Sequence, residues 1–228
     1  NVEWLWGYRE NDRLGGKDPY SASKACAEII SKAYMESFFK EDGPSIATTR
    51  AGNVIGGGDW ALDRIIPDCI RAWLERKPIV IRNPNSTRPW QHVLEPLSGY
   101  LALGQKLFQG DARVKSQAFN FGPQARVNQS VSELITEMTR FLSNAESNSQ
   151  QEISSKKPES TLLKLNCDKA LQILGWEAIL NFQETVRMTG EWYQKFYKQG
   201  PSSISKTTSG QTKEYFEKAV RSNLLWTQ

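Results

Sequence analysis

The hydrophobic and polar positions of the chain follow two alternating patterns, one typical of amphipathic helices and the other typical of short strands. The predicted helices cover residues 20–39, 62–76, 94–108, 131–142, 167–174 and 182–197, and the predicted strands cover residues 45–50, 79–81 and 117–121. Because helices and strands alternate along the chain, the pattern predicts an α/β fold.

The C-terminal residues break this pattern. Residues 199–213 are polar and include Gly-Pro-Ser-Ser and Thr-Thr-Ser-Gly runs, which are typical of mobile segments. Apolar residues return at helical spacing over residues 214–228. We therefore predict a main domain over residues 1–198, a flexible linker over residues 199–213, and a tail helix over residues 214–228 that docks on its own body.

The composition excludes several classes of protein. Of the side chains, 39% are hydrophobic and 24% are charged, which is ordinary for a globular protein with a substantial core. The formal net charge is +4, from 29 basic and 25 acidic residues without a basic block, so we expect no nucleic-acid partner. No stretch approaches the roughly 20 consecutive apolar residues that span a bilayer, so we expect no membrane segment.

The cysteines and the single histidine argue against a metal site. Cys26, Cys69 and Cys167 are far apart and lack the Cys-x-x-Cys spacing of metal-binding motifs. His92 is the only histidine and has no metal or nucleophile partner, a situation more typical of a structural histidine, so we assign it no role in the chemistry. These residues predict no bound metal, no disulfide framework and a reducing, cytoplasmic setting.

The start of the first predicted helix carries candidate chemistry. Asp18 is suited to cap this helix, Pro19 to its first position, and Tyr20 and Lys24 lie one turn apart on the same face. A nearby cation favours the phenolate, so this pair is suited to general-base removal of a sugar hydroxyl proton. The spacing alone fits an ordinary solvated helix face equally well.

A glycine-rich stretch follows the first predicted strand. Residues 49–60 combine the end of the strand with a loop whose backbone N–H groups can approach a ligand closely. A tight surface turn is the alternative. The stretch is not a dinucleotide fingerprint, because a Gly-x-Gly-x-x-Gly turn after a first strand occurs nowhere in the sequence.

Two arginines are candidates for phosphate binding. Arg88 ends an extended segment just before a predicted helix, and arginine is the natural two-pronged partner of a pyrophosphate. Arg64 lies in the predicted helix after the glycine-rich loop and is a second candidate contact. A surface salt bridge for Arg88 and an ordinary exposed position for Arg64 remain the alternatives.

Several of these segments resemble the extended short-chain dehydrogenases/reductases, the NAD-dependent epimerase/dehydratase family. The resemblance covers about residues 2–198 and is carried by residues 8–25 with Pro-Tyr-Ser-Ala-Ser-Lys, 49–60, 86–100, 119–123, and 165–176 ending in Leu-Gly-Trp. It implies that residues 1–198 form the end of a Rossmann-like half and a smaller substrate-binding lobe.

The resemblance also implies roles for individual residues. Tyr20 and Lys24 correspond to the catalytic residues of the family, and Tyr20, Lys24, Arg50, Ala51 and Gly52 correspond to residues that contact NAD.

The substrate is implied in the same way. Asn53, Arg64 and Arg88 correspond to residues that contact the nucleotide sugar, and the stretches at residues 56–60 and 88–93 are most similar to those of members that act on CDP-glucose.

The implied reaction is the conversion of CDP-glucose to CDP-4-keto-6-deoxyglucose. The tyrosine removes the O4 proton while a hydride moves from C4 to NAD, an acidic residue and a lysine eliminate water across C5 and C6, and the hydride returns to C6. These partners, and a Ser or Thr near the tyrosine, come from a segment upstream of Tyr20, but residues 1–19 contain no Ser or Thr. We therefore expect the chain to lack its N-terminal NAD-binding half and to be inactive by itself.

Other interpretations stay open. The Tyr-Lys pair is shared by epimerases, reductases and dehydratases that act on UDP- or dTDP-sugars. The chain could also be a non-catalytic nucleotide-sugar binder or a dimerisation module derived from such an enzyme. The resemblance further implies a homodimer for the full-length protein.

Overall fold

The computed structural model describes residues 6–39, 43–81, 83–141, 149–151 and 162–228. The helices in these ranges are α1 (Pro19–Phe38), α2 (Ile65–Leu74), α3 (Leu94–Phe108), α4 (Val131–Thr139), α5 (Asp168–Leu174), α6 (Phe182–Gln199) and α7 (Ile204–Arg221). The strands are β1 (Thr48–Ala51), β2 (Val54–Ile55), β3 (Ile79–Ile81), β4 (Thr87–Arg88), β5 (Gln91–His92), β6 (Ala118–Phe121), β7 (Gln129–Ser130) and β8 (Ser149–Gln151). Single 3₁₀ turns cover Pro201–Ser203 and Leu225–Thr227. The predicted α/β class is confirmed.

The strands pair mainly in parallel. Strand β1 pairs with β6, in register from Thr48 opposite Ala118 to Ala51 opposite Phe121. Strand β2 pairs in parallel with β5, and β3 with β8, whereas β4 and β7 are antiparallel. Helices α2 and α3 lie between β1 and β6 in the chain, which is the crossover connection that parallel strands require. The carboxyl ends of β1 and β6 therefore lie at the same edge.

Helix boundaries agree closely with the sequence prediction because local signals fix them. Ser130 and Asn181 each form a capping box with the glutamate three residues later, and these boxes start α4 and α6. Gly175 ends α5 with φ of 61°, a conformation that favours glycine. Strands β2, β4, β5 and β7 have two residues each, so they are too short to show a period and were not predicted.

Among the described residues, three groups of buried side chains hold the elements together. The largest lies between α2, α4 and α6 and includes Ile70, Leu134, Met138 and Tyr193. A second joins β6 to α5 and Trp176, and a third joins α6 to α7 through Met188, Tyr215 and Ala219. None of the helices within the described ranges is both long enough and apolar enough to cross a membrane.

The predicted flexible linker over residues 199–213 is wrong. Helix α6 continues to Gln199, one 3₁₀ turn follows, and α7 already begins at Ile204, so the tail helix starts well before residue 214. The polar side chains of this segment are used in packing: Gln211 Nε2 donates to the Met188 carbonyl over 2.7 Å, and Thr207 is buried. Tyr215 and Ala219 of α7 are buried, as expected for a tail that docks on its own body.

Candidate active site

The first turn of α1 brings the candidate proton-transfer residues together. Asp18 caps the helix by accepting from the backbone N–H of Ser21 over 2.9 Å and from its hydroxyl over 2.7 Å, and these hydrogen bonds lower the pKa of Asp18. Pro19 occupies the first helical position. The Nζ atom of Lys24 lies 5.7 Å from the centroid of the Tyr20 ring, and 71% of Tyr20 is exposed. A phenol and an ammonium are therefore adjacent on an accessible surface.

Arg50 fastens α1 to β1. Its Nε and Nη2 atoms donate to the two carboxylate oxygens of Glu28 over 2.5 and 2.8 Å, and Nη1 donates to the Glu10 carbonyl over 3.1 Å. This two-pronged pair is only 20% exposed on each side. The guanidinium is thus occupied within the protein, so a contact of Arg50 with a cofactor would have to come from its backbone. Sequence reasoning did not predict the role of Glu28.

The direction of the chain indicates where Tyr20 lies along the sheet. Helix α1 ends at Phe38 and β1 begins at Thr48, so the short connection over residues 39–47 leads from the end of the helix to the start of the strand. We therefore expect the first turn of α1 near the carboxyl end of β1, where Gly52 and Asn53 follow the strand. Ligands of open α/β sheets bind at that edge.

The segments after β1 and after β4 lie side by side. The backbone N–H of Gln91 donates to the Asn53 carbonyl over 3.0 Å, and a Cβ at Gly52 would lie 2.9 Å from Cγ of Pro89. Gly52 therefore has to be glycine for the two segments to approach. Ala51 is exposed and Asn53 is half-buried at this junction.

The glycine loop, residues 56–60, lies on an aromatic floor formed by α6. A Cβ at Gly57 would overlap the Trp192 ring, and Gly58 has φ of 83°. The Tyr193 hydroxyl donates to the Asp59 carbonyl over 2.7 Å. Trp60 packs against the Tyr193 ring at a centroid distance of 5.3 Å. The sequence predicted the loop but not this floor, because nothing in the helical pattern of α6 indicates what its aromatic residues contact.

The two candidate phosphate-binding arginines differ in their surroundings. Arg88 is half-buried on β4, opposite Gln129, and its Nη1 donates to the Thr87 carbonyl over 2.9 Å. Arg64 precedes α2, and its side chain is 63% exposed with Nη1 3.7 Å from a carboxylate oxygen of Asp59 in the glycine loop. The convergence of Tyr20, Asn53 and Arg88 on one cleft stays a prediction.

His92 lies behind the glycine loop. Its Nδ1 accepts from the Leu94 N–H over 3.4 Å, and a Cβ at Gly56 would lie 3.8 Å from Nε2. Burial lowers the pKa of His92 to about 4, with a smaller contribution from the positive charge of Arg187, so the ring is neutral near pH 7. Among the described residues, no group of three or more His, Cys, Asp and Glu side chains is arranged to hold a metal ion.

A cavity of about 360 Å³ opens at the carboxyl end of β6. Its walls include Trp6, Pro89, Gly122, Cys167 and Trp176. Burial raises the pKa of Cys167 to about 12, so its thiol stays protonated. The sequence did not predict this cavity, because its walls come from distant parts of the chain.

Comparisons with known proteins agree with this architecture. Residues 6–189 match the family model described as GDP-mannose 4,6 dehydratase. The chain is 43% identical over 199 residues to CDP-glucose 4,6-dehydratase from Salmonella typhimurium, covering 85% of this chain and 55% of that protein. It is 24% identical over 181 residues to dTDP-D-glucose 4,6-dehydratase from Mus musculus, covering 78% of this chain and 48% of that protein.

A solved structure shows the same fold. The dTDP-glucose 4,6-dehydratase of Bacillus anthracis, crystallised in complex with NAD, superposes with a TM-score of 0.69 at 22% identity over 85% of this chain and 58% of that one. The predicted fold, the C-terminal portion of a Rossmann-like extended short-chain dehydrogenase/reductase, is confirmed. The chain spans about half the length of the relatives it matches. From the match over residues 6–189, the chain belongs to the GDP-mannose 4,6 dehydratase family.

Proposed function

We propose that this chain is the substrate-binding portion of a nucleotide-sugar 4,6-dehydratase that converts CDP-glucose to CDP-4-keto-6-deoxyglucose. The observation that carries the choice of substrate is the 43% identity to a CDP-glucose 4,6-dehydratase, against 24% to a dTDP-D-glucose 4,6-dehydratase. Both comparisons cover more than three quarters of the chain, at 85% and 78%, so the difference does not come from unequal coverage.

Tyr20 is the proposed general base. Its exposed hydroxyl is available to take the proton from O4 of the glucose unit as C4 is oxidised. The Lys24 ammonium lies 5.7 Å from the ring centroid and is available to hydrogen-bond a ribose. The Asp18 cap fixes this end of α1, and the Arg50–Glu28 pair fastens the middle of the helix to β1.

The residues of this chain fit one end of NAD. We propose that Tyr20 and Lys24, which are neighbours on α1, hold the nicotinamide ribose. The crowding of Gly52 against Pro89 supports a contact of NAD with bare backbone at that position. The glycine turn that would hold the pyrophosphate is not in the sequence. When bound, NAD accepts the hydride from C4 of the sugar and returns it to C6.

Asn53, Arg64 and Arg88 are the proposed substrate contacts. The Asn53 carbonyl accepts from the Gln91 N–H, which fixes the backbone at this position, and the side-chain amide is the proposed ligand contact. Arg88 is held on a strand and suits a two-pronged contact with the diphosphate, whereas the exposed Arg64 reaches the site through Asp59 of the glycine loop.

Two measurements test this proposal. Calorimetric titration of the 228-residue chain with CDP, UDP and dTDP should give the tightest binding for CDP. The chain joined to the cofactor-binding half of a CDP-glucose 4,6-dehydratase, here called the completed enzyme, should release water from CDP-glucose, measured as a loss of mass from the sugar. Preference for UDP or dTDP would contradict the substrate, and a completed enzyme that binds CDP-glucose without dehydrating it would contradict the reaction.

We also propose that the whole protein is a cytoplasmic homodimer. Ile30, Tyr34 and Phe38 lie at intervals of four residues on α1 and are 56%, 54% and 70% exposed, an apolar stripe that needs a cover. The three cysteines are free, as in a reducing compartment. Light scattering on the completed enzyme should give the mass of two chains, and Tyr34→Glu should reduce it to one. An unchanged mass would show that another surface forms the dimer.

A further inference from the structure

The glycine loop depends on a single indole ring. A Cβ at Gly57 would overlap Cγ and Cδ2 of Trp192, and a Cβ at Gly58 would lie 3.5 Å from Cζ2 of the same ring. Two consecutive loop residues thus lie directly over this ring, and the first of them tolerates no side chain there. The position of the indole therefore determines how far the loop projects toward a ligand.

The indole is itself held from several sides. It stacks on Phe196 at a centroid distance of 5.6 Å with an interplanar angle of 7°, and it meets the edge of Tyr193 at 5.3 Å. Its Nε1–H donates to the hydroxyl of Thr208 over 3.0 Å. Trp192 is 8% exposed and Thr208 is exposed, so this hydrogen bond joins a buried indole to the surface of α7.

Thr208 belongs to α7, which is docked independently of the indole. The Tyr215 hydroxyl donates to the buried carboxylate of Glu95 over 2.8 Å, Gln211 bonds the Met188 carbonyl, and Lys218 pairs with Glu184 on α6. The family match ends at residue 189, so both Trp192 and α7 lie outside it.

We propose that α7 positions the nucleotide-sugar site: Thr208 holds the Trp192 indole, and the indole sets the place of the glycine loop and hence of the groups that meet the diphosphate. The inference rests on the proposed function. Backbone N–H groups of a glycine-rich loop bind an anion only when they point to it, and a misplacement of about 1 Å is enough to weaken a site severely. Thr208 and Trp192 are positioning residues and need not touch the ligand.

Thr208→Val tests the link with the least disturbance. It replaces the accepting hydroxyl by a methyl group of similar shape, and the lost hydrogen bond should weaken CDP binding to the 228-residue chain by about two- to tenfold. Hydrogen exchange of residues 56–60 should become faster. Thr212→Val is the matched control, since Thr212 lies one turn further along α7, is exposed, and bonds only the Thr208 carbonyl among the contacts seen.

A second variant approaches the same contact from the loop. Gly57→Ala forces the new methyl group against Trp192, so it should weaken CDP binding more than Thr208→Val does. Combining Gly57→Ala with Trp192→Leu, which makes room, should cost less than the sum of the two single changes. In the completed enzyme, each variant should raise KM for CDP-glucose more than it lowers kcat.

The outcomes separate the inference from the proposed function. Faster exchange of residues 56–60 in Thr208→Val with weaker CDP binding supports both. Wild-type exchange and CDP affinity in Thr208→Val, or additive effects of Gly57→Ala and Trp192→Leu, would overturn the positioning role while leaving the proposed function intact. If the wild-type chain binds no CDP, the proposed function is overturned. If residues 56–60 nevertheless exchange faster in Thr208→Val, the control of the loop by α7 is still supported.

Discussion

Helices α1 and α6 have similar lengths, 20 and 18 residues, and both begin with a side-chain cap, yet they bury their apolar residues very differently. Only Ala25 and Met35 of α1 are buried, whereas Ile29, Ile30 and Phe38 are more than half exposed. Helix α6 buries an apolar face in two of the three clusters. Helix α6 is therefore packed on its apolar face, whereas α1 has an apolar face that no described residue covers.

The contrast divides the candidate site into two parts. The proton-transfer pair lies at the start of α1, whose outer face is open, while the glycine loop lies on α6, which is enclosed by α2, α4 and α7. We call the glycine loop and the helices that enclose it the α6 side. We therefore expect substrate binding to depend on the α6 side, and catalysis to depend also on the part of the protein that covers the outer face of α1. Four predictions test this division.

Tyr20→Phe in the completed enzyme should have the largest effect. Removing the proton acceptor should lower the dehydration rate by about 10²- to 10⁴-fold, because that is the usual contribution of general acid–base catalysis. The affinity for CDP should stay within about twofold, since the phenol lies on α1 and not on the α6 side. Rapid-quench assays and calorimetry measure the two quantities. Tyr100→Phe, on α3, is the control, and a Tyr20→Phe enzyme with near-normal rates would contradict the assignment.

The stability of the α6 side should depend on pH through the protonation of Glu95. This buried carboxylate accepts from the N–H groups of Ile179 and Leu180, just before α6, over 2.9 and 2.7 Å, and burial raises its pKa to about 7 from an ordinary value of 4.5. The folded state then binds the proton more tightly than the unfolded state, so stability falls as the pH rises from about 4.5 to about 7 and is constant above. The full shift corresponds to about 3 kcal/mol.

Glu95→Gln should remove this dependence, because the amide oxygen still accepts from both N–H groups but carries no charge. Urea unfolding at pH 5 and pH 8 should show a smaller difference in the free energy of unfolding for Glu95→Gln than for the wild type. Glu177→Gln, an exposed change two residues before Ile179, should leave the difference as it is. A pH dependence of equal size in Glu95→Gln would mean that Glu95 is not its source.

Arg88→Ala in the completed enzyme should raise KM for CDP-glucose by about ten- to a hundredfold with a smaller loss in kcat, because a phosphate clamp remote from C4 contributes mainly uniform binding. CDP should weaken as an inhibitor in step. Arg88→Lys should recover only part of the loss, since an ammonium cannot form the two-pronged contact. Arg221→Ala, an exposed change in the last turn of α7, is the control. An unchanged KM with a lower melting temperature would show that Arg88 has a structural role, and Arg64 would then be the remaining candidate for the diphosphate contact.

The sequence was sufficient to predict those features of the structure that a local signal decides. The Asp18 cap, the capping boxes at Ser130 and Asn181, and the glycine after α5 each mark a helix end within a few residues. The Tyr20–Lys24 neighbourhood could be predicted for the same reason, because helical geometry alone brings residues four apart together.

The sequence was insufficient to predict features that depend on packing between distant parts of the chain. Residues 204–213 look mobile by composition but form the start of α7, because Thr207, Thr208 and Gln211 find partners or burial against α6. No local pattern indicated that the Arg50 guanidinium is bound by Glu28, twenty-two residues away in sequence. The role of Trp192 under the glycine loop joins residues that no local pattern connects.

The smallest expected effect concerns NAD and the open side of α1. The 228-residue chain supplies Tyr20, Lys24 and the backbone after β1 for the nicotinamide end, but its sequence has no glycine turn for the pyrophosphate, and that contact provides much of the cofactor affinity in this fold. Titrating NAD into the chain should therefore give no calorimetric signal below millimolar concentrations, which corresponds to a binding free energy weaker than about −4.1 kcal/mol. CDP titrated into the same sample is the matched comparison, because we expect its binding to need only the α6 side. Micromolar NAD binding would show that the chain holds the cofactor without a second half. The α1 side would then need no further part of the protein to bind its ligand.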